Sequence, residues 1–203
     1  MKSNLQRQYK IVDRFEKKLS QYTGAPYVVC VDCCTNALLL CLLYNKEKKV
    51  IIPKDTYVGV AMSALHAGKK IVFKNIPWRG IYKIENTNIY DAAKRFTKNM
   101  YISKTNMCLS FHYKKHLKIG RGGAILTDDR KFYEWVKLMR NNGKNITQPL
   151  NEQHFTVCGY NMLLHPDLAR KGLDLLKVLP KYNDDLPEEN YGDLSKQIKL
   201  AYA

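Results

Sequence analysis

Short apolar, β-branched runs recur along this 203-residue chain with helix-patterned segments between them, and that alternation limits the fold more than any other feature. Tyr27–Val31, Val50–Ile52, Ile71–Phe73, Asn88–Tyr90, Met107–Leu109 and Ala124–Leu126 read as strands. Residues 5–22 predict an amphipathic helix with Leu5, Ile11, Val12, Phe15 and Leu19 facing inward and Gly24 as its stop. Four more helices are predicted: Thr35–Tyr44, Thr56–His66 closed by Gly68, Asp128–Asn142 ended by Gly143, and Pro166–Leu179 ahead of Pro180. Apolar strands alternating with helices imply an α/β fold, a mainly parallel sheet covered on both faces. In such sheets ligands bind outside the carboxyl ends of the strands.

With 45% hydrophobic residues the chain can bury a substantial core. The excess of 34 Lys+Arg over 18 Asp+Glu gives a net charge of +16, which favours an anionic partner such as a nucleotide, a phosphorylated cofactor or a nucleic acid. The cations are spread along the whole chain, with nothing denser than pairs such as Lys17-Lys18, so a dedicated nucleic-acid groove is not expected. Met1-Lys2-Ser3-Asn4 runs straight into a charged amphipathic segment with no apolar h-region, and the most apolar run, Ala37–Tyr44, is far shorter than the roughly 20 residues of a spanning helix. A cytoplasmic protein with no membrane partner is the expectation. Cys30-x-x-Cys33-Cys34 has no second Cys/His pair at ligand spacing, so the six cysteines read as reduced or buried thiols rather than a zinc site or a disulfide framework.

Four strand ends carry residues suited to chemistry. Ser110-Phe111-His112-Tyr113-Lys114-Lys115 follows the strand ending at Leu109 and sets a hydroxyl five residues before a lysine, ahead of the glycine-rich return Gly120-Arg121-Gly122-Gly123. A lysine thrown over a pocket and partly desolvated is poised to bond a carbonyl, although most lysines in any chain are solvated surface charges. Asp32-Cys33-Cys34-Thr35-Asn36 opens a helix after Val31; it offers backbone N–H groups and a hydroxyl to a phosphate, or serves as a plain helix N-cap. Tyr57, after Pro53-Lys54-Asp55-Thr56, is either a ring at the pocket mouth or a partly buried structural residue. Asp91, ending its strand before Ala92-Ala93, is either a carboxylate beside a flat ligand or another N-cap. Together these parts describe a phosphate cradle, a stacking ring, a carboxylate for a ring N–H and a reactive lysine, the needs of pyridoxal 5′-phosphate (PLP).

The order of these motifs resembles the DegT/DnrJ/EryC1/StrS sugar aminotransferases, within the fold-type I, aspartate aminotransferase-like PLP enzymes. The resemblance runs from Phe15-Glu16-Lys17 to about Leu179. Phe15-Glu16 with Thr23-Gly24 resembles the family's first helix, and Cys33-Cys34-Thr35-Asn36-Ala37-Leu38 its Ser-Gly-Thr-x-Ala-Leu phosphate turn. Ile51-Ile52-Pro53 with Thr56-Tyr57 resembles the segment that stacks on the cofactor, and Asp91-Ala92-Ala93 the Asp-Ala-Ala that meets the ring nitrogen. Ser110-Phe111-His112 with Lys115 resembles the Schiff-base segment, and Gly159-Tyr160-Asn161 the family's Gly-Tyr-Asn.

The resemblance implies a PLP-binding large domain over residues 1–180, most of the small C-terminal domain missing, and a short tail over 181–203. It implies Lys115 and Asp91 as catalytic residues. Cys34, Thr35, Tyr57, Asp91, Lys94, Ser110, Lys115 and Asn161 would hold PLP, with Asn161 reaching the neighbouring subunit of a homodimer, and no metal is implied. The reaction would move an amino group, from glutamate as donor, to a keto group of a nucleotide-linked deoxysugar in polysaccharide biosynthesis. The alternative is a catalytically reduced PLP- or nucleotide-sugar-binding relative, or a partner subunit of a full-length enzyme. Departures from the family pattern are Arg121 in place of an acid, Lys94 in place of His or Gln, Leu163 in place of Arg, and a shortened stretch between Asn75 and Asp91. The tail, acidic at Asp184, Asp185, Glu188 and Glu189, reads as a mobile terminus because Pro, Asn, Asp and Gly dominate its first half; packing across the basic body in place of the lost domain is the other reading.

Overall fold

The structure, a computed structural model, describes residues 4–187 and 189–199, with side chains from Tyr9 onward. The Leu5 side chain, Met1–Ser3, Glu188 and residues 200–203, all invoked above, lie outside the described residues.

The six expected strands and five expected helices are present: α1 (Asn4–Thr23), β1 (Tyr27–Val31), α2 (Cys34–Tyr44), β2 (Lys49–Pro53), α3 (Val58–His66), β3 (Lys70–Lys74), β5 (Ile89–Asp91), β6 (Asn106–Ser110), β7 (Gly123–Thr127), α4 (Arg130–Met139) and α5 (Pro166–Val178). The two-residue strand β4 (Tyr82–Lys83) and the one-turn helix α6 (Leu194–Gln197) are additional. Two helices differ from expectation by more than one residue at an end, and α4 begins only at Arg130, behind its Asp129 N-cap. Helix α3 starts at Val58 because Tyr57 is extended at its N-cap, while the Thr56 hydroxyl is engaged by Tyr82. Helix α4 stops at Met139 because Asn142 and Gly143 both turn at positive φ.

The main sheet has the order β1-β7-β6-β5-β4, and β2 pairs with β3 beside it. Antiparallel pairing of β7 with both β1 and β6 leaves those two pointing the same way, and β5 is parallel to β6. The bridge between Ile51 and Glu85, just past the antiparallel β4, aligns β2 and β3 with them. Only β4 and β7 run against the rest, so the sheet is mixed in pairing but mainly parallel in direction. β7 is reversed because the loop 111–122 returns from β6 without a crossover helix. The carboxyl ends of β1, β2, β5 and β6 therefore lie along one edge.

Alternate residues of the strands feed two cores. Val29, Val31, Cys108 and Ile125 pack under α2, α3 and α4, whereas Val28, Cys30, Met107 and Leu126 pack under α1 and α5. The free edge of β1 is closed by a buried ion pair: Glu16 accepts from the Cys30 N–H at 2.8 Å, Arg140 donates to the Cys30 carbonyl at 2.6 Å, and the two side chains bond each other. Among the described residues no helix is long and apolar enough to cross a membrane.

The tail is docked. Lys98 N–H meets the Lys181 carbonyl at 2.8 Å, Leu186 N–H the Lys94 carbonyl at 3.0 Å, and Leu194 N–H the Lys54 carbonyl at 2.8 Å. Leu194 is buried in the α2–α3 core. The expectation of a mobile terminus is corrected for residues 181–187 and 189–198, because Arg95 and the lysines around the strand ends give its acids and carbonyls defined partners.

Candidate active site

A cavity of about 330 Å³ opens at the shared strand edge, within the size of small-molecule sites. Cys34, Thr35, Tyr57, Asp91, Lys94, Ser110 and Lys115 all border it. One predicted residue does not: Asn161 is exposed on the chain segment that bridges Asn141, away from the cavity wall.

The floor of the cavity is the start of α2. Cys33 is its N-cap and accepts from Asn36 N–H, and Asn36 Nδ2 reaches Asp32 Oδ1 at 2.7 Å. The cap is therefore real, and it leaves the Thr35 hydroxyl and the Cys34 N–H beside the cavity, where helix-end amides favour an anion. Two glycines permit this closeness. A Cβ on Gly123 would lie 2.6 Å from the Cys33 carbonyl carbon and the Cys34 nitrogen, and one on Gly59 would lie 2.8 Å from Thr35 Oγ1. Ser63 Oγ braces the turn from behind by donating to the Thr35 carbonyl at 2.8 Å.

Asp91 sits in the back wall, buried at the end of β5. Its Oδ1 accepts from Ala93 N–H at 2.9 Å and its Oδ2 from the Tyr82 hydroxyl at 3.1 Å, which in turn lies 2.7 Å from Thr56 Oγ1. Burial pushes its carboxyl above the ordinary carboxylate range, while those hydrogen bonds and the charges of Lys115 and Lys94 pull it back. Burial likewise drives the Cys34 thiol well above the ordinary cysteine range, away from the thiolate a nucleophile needs.

Lys115 approaches from the turn after β6, which is held by its own N–H to the His112 carbonyl at 2.8 Å and by the bridge between His112 and Gly120. Its amine is half-buried and its pKa is lowered by desolvation; Glu189 and Asp91 hold it up, and Lys94 pushes it further down. Tyr57 stands at the mouth, 55% exposed, with the Tyr191 ring edge-on at 6.3 Å between centroids. Arg121 pairs with Asp32 at 3.4 Å, so the charge reversal noted in the sequence is answered locally.

Several residues of the wall and of the layer behind it escape the sequence reading. Tyr82 lies on a strand too short to show periodicity, and Trp78 lies in a loop, tied by its indole N–H to the Asp55 carbonyl at 2.9 Å. Glu189 and Tyr191 come from the tail, whose acidity on a basic chain was the available signal. A larger concavity, about 830 Å³, lies between α1 and α5, but it is walled by helix side chains, and its carboxylate, Asp174, is taken by Lys177 at 2.7 Å. Among the described residues no three His, Cys, Asp or Glu side chains gather as a metal centre would.

The sequence profile of the DegT/DnrJ/EryC1/StrS aminotransferase family matches residues 1–102 and 99–185. A UDP-4-amino-4,6-dideoxy-N-acetyl-beta-L-altrosamine transaminase of Campylobacter jejuni is 24% identical over 216 residues, covering 84% of this chain and 57% of the relative. Among solved structures, a DegT DnrJ EryC1 StrS aminotransferase from Brucella abortus superposes with a TM-score of 0.70 at 21% identity, covering 83% of this chain and 58% of that one. A Helicobacter pylori aminotransferase involved in the biosynthesis of pseudoaminic acid gives 0.68 at 20% identity, covering 83% and 57%. The chain thus spans less than two thirds of the length of these relatives. With most of its length matched and the strand-edge cavity where the motifs place it, the chain belongs to the DegT/DnrJ/EryC1/StrS aminotransferase family.

Proposed function

We propose that this cavity binds PLP and that the protein, as a cytoplasmic homodimer, moves an amino group from glutamate to a keto group of a nucleotide-linked deoxysugar. The observation that carries the reading is one cavity joining a half-buried lysine of lowered pKa, a buried carboxylate and an anion cradle at a helix start. The residues fit the group by the chemistry of their donor set: hydroxyls of Thr35 and Ser110 at the start of α2 and the end of β6, the buried Asp91 carboxyl and the half-buried Lys115 amine all border one cavity.

When bound, PLP supplies an electron-withdrawing ring that lets the α-proton of an amino acid leave. The chain's part is placement and proton traffic. Thr35 Oγ1, Ser110 Oγ and the Cys34 N–H would hold the phosphate, and Tyr57 would cover the ring. Asp91, steadied by Tyr82 and Ala93, would keep a proton on the ring nitrogen. Lys115 Nζ would bond the cofactor and then take and return the migrating proton; its lowered pKa leaves more neutral amine at a given pH than an ordinary lysine has.

A second reading, a PLP-binding relative without turnover, is favoured by the tail's Glu189 lying against two lysines at the cavity, Lys94 and Lys114. The absorbance spectrum separates the two. PLP added to the protein should give a yellow species that glutamate bleaches; a yellow species unchanged by glutamate supports the second reading, and no yellow species contradicts both.

A further inference from the structure

Lys94 is an unusual cation for a cavity wall, only 2% exposed. Its ammonium donates to the Pro187 carbonyl at 2.8 Å, faces a Glu189 carboxylate oxygen at 3.4 Å, and lies 5.5 and 5.0 Å from the ring centroids of Trp78 and Tyr191. Apart from Trp78, these partners all come from one stretch of tail. That stretch is fastened on both sides of the cavity. Upstream, Arg95 grips Asp185 through two bonds of 2.8 and 2.6 Å. Downstream, Tyr191 N–H bonds the Asp55 carboxylate at 3.1 Å and Lys54 pairs with Asp193 at 3.5 Å.

Between the fastenings, Glu189 is held by side-chain contacts: its carboxylate accepts from the Tyr191 hydroxyl and faces Lys94. Its side chain is 43% exposed and also lies 3.9 Å from Lys114. A cation as buried as Lys94 needs an anionic or dipolar partner, and the strap delivers a carboxylate. An ammonium beside two aromatic rings suits a flat carboxylate; Lys94 lacks the amide cluster that marks a phosphate site, which the start of α2 provides elsewhere in the cavity.

We propose that Lys94, walled by Trp78 and Tyr191, is the subsite for the carboxylate of a small amino or 2-oxo acid, and that Glu189 is an internal stand-in which this ligand displaces. The inference deepens the reading of the cavity as an aminotransferase site and rests on it for the identity of the ligand as amino donor.

Glutarate, which carries carboxylates but no amine, is the probe. It is titrated into the full chain without added PLP by calorimetry, with hydrogen exchange followed at the Leu186 and Tyr191 amides. Saturating glutarate should speed exchange at these amides. Glu189→Gln should tighten glutarate about tenfold and Lys94→Gln should weaken it about tenfold or more, the range of a charge-assisted hydrogen bond. Unaltered affinity in the Glu189→Gln protein overturns the proposal, and this variant changes a half-exposed side chain isosterically, so it decides the matter even if Lys94→Gln does not fold. Inorganic phosphate loosening the strap at the same concentration also overturns it, since that would be general attraction to a basic surface. Because no PLP is present, a failure to form the yellow species in the separate cofactor titration would sink the aminotransferase reading and leave this result standing.

Discussion

Asp91 and Lys115 face the same desolvation and shift in opposite directions, each toward its neutral form. For Asp91 the folded pKa lies above the unfolded one, so the stability it contributes is present at acid pH and lost as pH rises through the folded value. Above that value the ionised carboxylate is thus a burden on the fold without its ligand. Asp91→Asn should raise the melting temperature of the PLP-free protein at pH 7 while lowering the transamination rate by about 10²–10⁴-fold, the range for a lost acid–base group. Calorimetry and single-turnover kinetics read the two effects; a destabilised variant of full activity would contradict the assignment. For Lys115 the neutral amine reacts, so the rate of PLP capture should rise with pH with a midpoint below the ordinary lysine's 10.5. Glu189 is the largest of the charges holding that pKa up, so Glu189→Gln should move the midpoint lower still, as stopped-flow absorbance against pH would show. Both residues were legible because they follow apolar strands. Tyr82, which orients Asp91, was not, since its role depends on a two-residue strand pairing across the sheet.

At the scale of elements, the strands could be read because buried β-branched runs announce themselves, and β1 matches its expected limits, Tyr27–Val31. What the pattern could not show is the reversal of β7 or the closure of the β1 edge, both set by partners far away in sequence. Glu16 stands out in the sequence only as part of a motif; in the fold it neutralises Arg140 and takes the Cys30 N–H. Breaking a buried pair from one side strands the other charge. Arg140→Met should therefore cost about 3–5 kcal/mol in urea denaturation, and the double variant with Glu16→Leu should recover part of it. Equal losses in the single and double variants would show that the pair acts through packing alone.

Across the whole molecule, the tail shows where sequence reading fails. Its polar, proline-containing composition carries no periodicity, yet over residues 181–187 and 189–198 it is bonded to the body through charges and carbonyls that only the folded surface arranges. Asn161 poses the complementary case. It is exposed and does not border this chain's own cavity. If it completes a neighbouring subunit's phosphate site, the protein is a two-fold dimer in which each copy finishes the other's pocket. Light scattering should give twice the chain mass, and Asn161→Ala should weaken PLP binding without dissociating the dimer; a monomer that binds PLP tightly would contradict this. The account turns on a single amine. Borohydride reduction of the PLP-treated protein followed by peptide mapping should place the pyridoxyl label on Lys115, whereas a label on Lys114, on Lys94 or on no lysine would contradict it.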